Sequence, residues 1–270
     1  MDHKHTGRLT KDGIRIHEAA DYAGMHAAGA LASRILDDIA AHVFPGTTTG
    51  KINEIIHQMV DDAGATSATV GYKGYQHASC ISVNHVVCHG IPGDKVLKEG
   101  DILNIDVTVI VDGWFGDTSR MYVAGKLPRK AERLIQVTHD SLMLGIEAVR
   151  PGNTFGDIGH AIQTYVESQR MSVVRDFCGH GLGRVFHAPP NVLHYGRPGT
   201  GPVLEEGMFF TIEPMVNLGR PETKTLPDDW TAVTRDKSLS AQFEHSVGVT
   251  ADGVEIFTLS AADTFHPTYG

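Results

Sequence analysis

Residues 104–120 read NIDVTVIVDGWFGDTSR. Asp112-Gly113, set between two runs rich in β-branched and aromatic residues, signals a two-residue hairpin, because a type I′ turn needs positive φ at both central positions and Asp-Gly tolerates it. With that turn, Val111 faces Trp114, Thr108 faces Asp117, and Asp106 faces Ser119. Side chains alternate along a strand, so Asp106, Thr108, Asp117 and Ser119 share one face while Ile105, Val107, Val109 and Val111 share the other. Asp106 and Asp117 are then diagonal neighbours, with backbones about 7–8 Å apart, close enough for their carboxylates to converge on one cation or a pair of cations. A hairpin with one solvated polar face is the ordinary alternative. A metal site would need His and Glu from elsewhere in the chain.

The chain has 270 residues, 41% hydrophobic and 20% charged, with net charge −9. That size buries a sizeable core, and no apolar run reaches the length of a membrane span. The opening MDHKHTGRLTKDG lacks the apolar segment of a signal peptide. Cys80, Cys88 and Cys178 show no CxxC spacing and suit a reducing cytoplasm. The acidic balance argues against a dedicated nucleic-acid binder. Among sixteen histidines, His3, His5 and His26 read as surface residues.

Apolar spacing through Ile16, Ala20, Ala27, Leu31, Ile35 and Ile39 predicts one helix over 13–42, ended by Pro45-Gly46. A second helix follows over 49–63, then a Gly/Tyr-rich loop (GYKGYQHASC), a strand over 80–84 and the hairpin. The order recurs: a helix over 129–149, Pro151-Gly152, and a shorter helix to about residue 169. PGTTTGKINEIIHQMV (45–60) and PGNTFGDIGHAIQTYV (151–166) match at seven of sixteen positions. Two similar halves, 13–125 and 129–258, are therefore expected within one domain spanning 13–262. A flexible extension over 1–12 and a tail over 263–270 would flank it. Clefts between such halves draw ligands from both.

After residue 170 the sequence reads as strands: SVVRDFC, GMFFTIEPMV, DWTAVT, SAQFEHSVGVT and VEIFTL. Glu213 and Glu244 interrupt apolar runs there, and buried glutamates are rarely tolerated unpaired. His180 and His187 lie in the glycine-rich GHGLGRVFH. Each anomaly alone is explained by a satisfied polar residue at a strand end; five together are not. Asp106, Asp117, His180, Glu213 and Glu244 make four carboxylates and an imidazole, which two divalent cations would balance and which would repel one another without them. Oxygen-rich ligation with one histidine favours Mn, Fe, Co or Zn. Paired cations can acidify a shared water for hydrolysis.

NIDVTVIVDGWFGDTSRMY, GHGLGRVFH, FTIEPMV and SAQFEHSV, preceded by CISVNHVVCHGIP, closely resemble type I methionine aminopeptidases of the bacterial form, over about residues 13–260. The resemblance implies an α/β (α+β) pita-bread fold, an antiparallel sheet with helices packed on it and a pseudo-twofold repeat. It implies a metallo-exopeptidase that removes the initiator methionine from nascent polypeptides, with a small second residue preferred, through a hydroxide bridging two metal ions. Asp106 would be a bidentate ligand of one ion, His180 and Glu213 would bind the other, and Asp117 and Glu244 would bridge them. Glu213 would also shuttle the proton, His89 would contact the substrate near its first peptide nitrogen, and His187 would hydrogen-bond the scissile carbonyl. Tyr72, Tyr75, Cys80, Phe186 and Trp230 would line the methionine pocket, joined at its rim by His89 and His187. Asn84 and Ser240 match positions that hold a monovalent cation in relatives. The implied partners are nascent peptide N-termini and, optionally, the ribosome; a cytoplasmic monomer is expected, with neither nucleic acid as substrate nor membrane. His85 and Ala188 depart from the family's acidic residues at those places, which bears on substrate preference and not on the reaction. The Cys/His zinc segment of some eukaryotic relatives is missing from the amino-terminal stretch.

Two other readings stand beside this one. Proline-specific aminopeptidases and dipeptidases share the fold but usually carry a further amino-terminal domain, where here about a dozen residues precede the first expected helix. A non-catalytic binding module of the same fold would lose ligands, and all five are present.

Overall fold

In the computed structural model, which describes residues 7–262, Asp112 and Gly113 take φ of 49° and 81°, the left-handed pair a type I′ turn requires. In chain order the helices are α1 (Asp21–Ile39), α2 (Thr49–Asp62), α3 (Arg129–Glu147) and α4 (Phe155–Ser168). The strands that build the site are β1 (Cys80–Val83), β2 (Asp101–Val111), β3 (Trp114–Ala124), β4 (Gly179–Gly181), β5 (Phe209–Ile212), β6 (Met215–Asn217), β7 (Ser240–Gln242) and β8 (His245–Val249). β2 and β3 pair antiparallel in the expected register, Val111 with Trp114, Thr108 with Asp117 and Asp106 with Ser119. β1 lies along the other edge of β2, with Cys80 opposite Asp106. In the second half β8, β5 and β4 are neighbours in a five-stranded sheet, and β6 pairs with β7 in another. A bridge between Ser119 and Glu244 joins the hairpin to the second half.

The repeat is visible in the hydrogen bonds. Gly46 N–H donates to Leu97 O at 2.8 Å and Gly152 N–H to Leu204 O at 3.0 Å; Gly50 N–H donates to Gly93 O and Gly156 N–H to Thr200 O. Isolated bridges Thr48–Val96 and Thr154–Val203 occupy the matching places. Continuing that correspondence along VLKEGDILNID (96–106) and VLEEGMFFTIE (203–213) sets Asp106 against Glu213. Two large apolar clusters lie one mainly in each half, and a smaller one, in which Met25, Ala28 and Trp114 meet Leu182, Phe209 and Phe257, joins the halves. Of the large pair, one is built on Leu31, Ile35, Leu36, Ile52, Ile56, Ile105, Val107 and Val109, and the other on Leu134, Ile135, Ile158, Ile162, Phe210, Ile212 and Val247. The side of the hairpin that carries Ile105, Val107 and Val109 thus faces a core, as the alternation demanded.

α1 presses unusually close to the hairpin. A Cβ on Gly116 would stand 2.3 Å from the backbone of Ala28, so glycine is what lets the helix lie there. Arg120 of β3, 2% exposed, is ion-paired with Asp37 of α1.

Some boundaries differ from those the spacing predicts. The first helix starts at Asp21, not residue 13, because Ile14 and Ile16 dock as alternating positions of extended chain: Thr10 N–H donates to Ile14 O, Ile16 N–H to Arg8 O and His17 N–H to Gly207 O. Residues 7–12 accordingly belong to a folded turn, with a bridge between Leu9 and Arg15. Residues 1–6 of the expected extension, His3 and His5 among them, and the tail at 263–270 lie outside the described residues. His26 is half-exposed and meets Glu255 at 2.7 Å. The long apolar stretches of the second half are broken into short strands, SVVRDFC keeping only Ser172–Val173, and the two glutamate-bearing runs are interrupted at the glutamates themselves. No helix among the described residues is long and apolar enough to cross a membrane.

Candidate active site

The polar face of the hairpin opens into a cavity of 340 Å³. All five expected ligands line it: Asp106 and Asp117 from β2 and β3, His180 from β4, Glu213 from the gap between β5 and β6, and Glu244 from the gap between β7 and β8. Ligand atoms of Asp117, His180 and Glu244 lie within 4.8 Å of one another. His180 Nε2 stands 3.5 Å from Asp117 Oδ2 and 3.7 Å from Glu213 Oε1.

Two of the four carboxylates, Asp117 and Glu213, are fixed by their neighbours. Thr108 Oγ1 donates to Asp117 Oδ1 at 2.7 Å, and Thr211 Oγ1 donates to Glu213 Oε1 at 2.8 Å while accepting from His180 N–H. Gln242 Nε2 donates to Glu213 Oε2 at 3.2 Å. Burial, reinforced by the other carboxylates, pushes Asp106 and Glu244 well above the usual carboxylate range, and burial raises Glu213 to about 7. At His180 burial works against the imidazolium, but the Asp117 and Glu213 carboxylates outweigh it and its pKa lies above the ordinary value. Such a set is ill at ease without cations, and its donors are hard oxygens with one imidazole, which suits divalent transition ions. The residues fit the metal ions their pattern implies.

The remaining wall is aromatic. The Tyr72 ring lies 4.9 Å from Phe186 and 5.1 Å from His187, and Tyr75 lies 4.9 Å from Trp230. Tyr75 turns its hydroxyl away to Ser79 O and Gly90 O, leaving the ring to the cavity. Burial holds the Cys80 thiol protonated by pushing its pKa far up. His89 and His187 both carry left-handed backbone, φ 54° and 59°, a strain that persists where the surrounding structure enforces it. Burial depresses both imidazoles, His187 to about 4 with the help of neighbouring His180, so both rings are neutral at pH 7.

Every expected pocket and ligand residue is therefore in one cavity. Asn84 and Ser240 are not in its lining; they stand together, Ser240 N–H donating to Asn84 O at 2.9 Å, and the Asn84 amide donates to Asp101. His85 is exposed and Ala188 half-buried on the strand Ala188–Val192. Sequence reasoning missed Thr69, Lys73, Cys88, Asp176, Phe177, Cys178 and Met215 in the lining, and the supports Thr211 and Gln242. The two supports had a signal: each is a polar residue two positions before a strand-breaking glutamate, hence on the same face.

A model of metallopeptidase family M24 matches residues 23–251. The chain is 58% identical over 257 residues to a methionine aminopeptidase of Rickettsia prowazekii, covering 95% of this chain and 99% of the relative. It is 51% identical over 253 residues to that of Escherichia coli K12, covering 93% and 96%. The crystal structure of a methionine aminopeptidase from R. prowazekii superimposes with a TM-score of 0.90 at 59% identity, over 91% of this chain and all of that one. A prolidase from Pyrococcus horikoshii, 18% identical with a TM-score of 0.72 over 91% of this chain and 63% of its own, shares the fold. The chain belongs to metallopeptidase family M24, among its methionine aminopeptidases.

Proposed function

We propose that the protein removes the initiator methionine from nascent polypeptides in the cytoplasm, working as a monomer with two divalent cations and preferring a small second residue. The observation that carries this reading is the meeting of ligands from both halves with the aromatic wall in one cavity. Asp106, Asp117, His180, Glu213 and Glu244 would hold the cations, and the resemblance to the family would make Asp117 and Glu244 the ligands shared by both. When bound, such a pair supplies Lewis acidity and a nucleophilic water at neutral pH.

The chain's own groups do the rest. Tyr72, Tyr75, Cys80, Phe186 and Trp230 offer an apolar, polarizable slot for an unbranched thioether. His187, neutral at pH 7, donates a ring N–H to the scissile carbonyl oxygen, where it strengthens as negative charge develops. His89, also neutral, meets the substrate near its first peptide nitrogen. Glu213, its carboxylate held by Thr211 and Gln242 at the cavity wall, takes a proton from the attacking water and returns one to the leaving amine, the task of a positioned general base. The preference for a small second residue is proposed on the resemblance to the family, a crowded site beside the carboxylates excluding bulk. Asn84 and Ser240 are proposed to hold a monovalent cation, and the ribosome is the partner that would deliver nascent chains.

The test is release of methionine from a Met-Ala-Ser peptide by chelator-treated protein, before and after Mn, Fe or Co is returned, with Gly-Pro-Ser in parallel. Metal-restored release from the first peptide alone is expected. Release of glycine from the second at comparable rate would overturn the specificity, and no release from either despite bound metal would overturn the activity.

A further inference from the structure

Glu213 stands at a break in the sheet. β5 ends its ladder with β8 at Ile212–His245, and β6 begins its own with β7 at Met215–Gln242. Between them Glu213 has no strand to receive its N–H, and Pro214 has no N–H to give. The acceptor comes instead from a side chain: Glu213 N–H donates to His194 Nε2 at 3.0 Å. At the corresponding break on the other side, Glu244 N–H finds a backbone acceptor, Ser119 O.

His194 is 0% exposed and outside the cavity lining. Because Nε2 accepts, the neutral ring carries its proton on Nδ1, and that buried atom has no hydrogen-bond partner among the described residues. A core position filled by an imidazole with one unsatisfied N–H is costly, and an apolar ring would fill the space more cheaply. What an apolar ring cannot supply is the acceptor.

We propose that His194 is a positioning residue for Glu213: its Nε2 replaces the missing ladder acceptor and fixes the main chain where the Glu213 side chain enters the cavity, while Thr211 and Gln242 fix the carboxylate. The inference rests on the proton-shuttling and ligating role proposed for Glu213.

The test compares wild type with His194→Phe, which fills the space without an acceptor, and His194→Gln, whose Oε1 takes the place of Nε2. Three quantities are read: kcat and KM on Met-Ala-Ser with Mn-loaded protein, Mn binding to chelated protein by calorimetry, and hydrogen exchange of the Glu213 amide. His194→Phe is expected to lower kcat and Mn affinity by about 10–100-fold, the range for outer-shell partners of metal ligands, with KM little changed and rapid exchange of the Glu213 amide. His194→Gln should recover most of each loss. Equal kcat and Mn affinity in His194→Phe and wild type would overturn the proposal, as would a His194→Gln variant no better than Phe, which would assign the residue to packing. If His194→Phe does not fold, rapid exchange of the Glu213 amide in wild type would still overturn it. Wild type that binds Mn but releases no methionine would sink the proposed activity while leaving Mn affinity and amide exchange to decide the role of His194.

Discussion

Thr108 reaches across the hairpin to donate to Asp117 Oδ1 at 2.7 Å, leaving Oδ2 to face His180 Nε2 at 3.5 Å. One oxygen is thus tied down and the other aimed. Thr108→Val keeps the shape and removes the tie. Mn affinity, measured by calorimetry, is expected to fall by about 10-fold or more, and an unchanged affinity would show that Asp117 needs no such hold.

Asp117→Ala and His180→Ala delete a ligand outright. Methionine release should fall by more than about 100-fold, the most expected from an outer-shell change. The fold should persist, because neither residue belongs to an apolar core, and circular dichroism would check that. Undiminished turnover in either variant contradicts their assignment as ligands.

Cation removal should cost stability as well as activity, since buried carboxylates are left to repel. Returning Mn at 100 times its dissociation constant should raise unfolding free energy by about 2.7 kcal/mol through mass action alone. Urea midpoints with and without Mn measure it; coincident curves would mean that the cluster binds no ion in the folded state.

His17 stacks on Phe209 at 4.2 Å, and burial lowers its pKa from 6.5 to about 4. As pH falls the unfolded chain takes up this proton near 6.5, the folded chain only near 4. Stability is therefore lost across that window, at about 1.4 kcal/mol per pH unit. In His17→Phe the thermal midpoint should decline less steeply from pH 6.5 to 4.5. Parallel pH curves for the two proteins would locate the acid sensitivity elsewhere.

Gly116→Ala places a methyl carbon 2.3 Å from the backbone of α1. The helix would have to lift, at about 1–3 kcal/mol. A lower urea midpoint at unchanged slope is the expected result.

The hairpin, its register and the face carrying Asp106 and Asp117 were legible because a two-residue turn and a period of two leave little freedom. Pro-Gly turns before α2 and α4 announced the repeat for a similar reason: they punctuate both halves at equivalent places. Ile16 misled because, standing four residues before Ala20, it also satisfies a helical spacing. Glu213 and Glu244 were legible as anomalies, but not as strand breaks, since the hydrogen bonds that end those ladders go to residues distant in sequence, His194 and Ser119. His194, between apolar Leu193 and Tyr195, offers no local sign of the amide it receives.

The two largest apolar clusters lie one beneath α1 and α2 and the other beneath α3 and α4, and smaller ones tie them together: Met25, Ala28 and Trp114 pack with Leu182, Phe209 and Phe257, while Cys88 and Met215 belong at once to a core cluster and to the cavity lining. Cohesion and chemistry therefore share side chains at the floor of the seam. A lineage carrying this scaffold can redraw the half-buried rings Tyr72, Phe186 and Trp230 at small cost in packing, whereas any change at the floor trades stability for shape. A neighbour 18% identical still superimposes on it: what is inherited at that distance is the architecture.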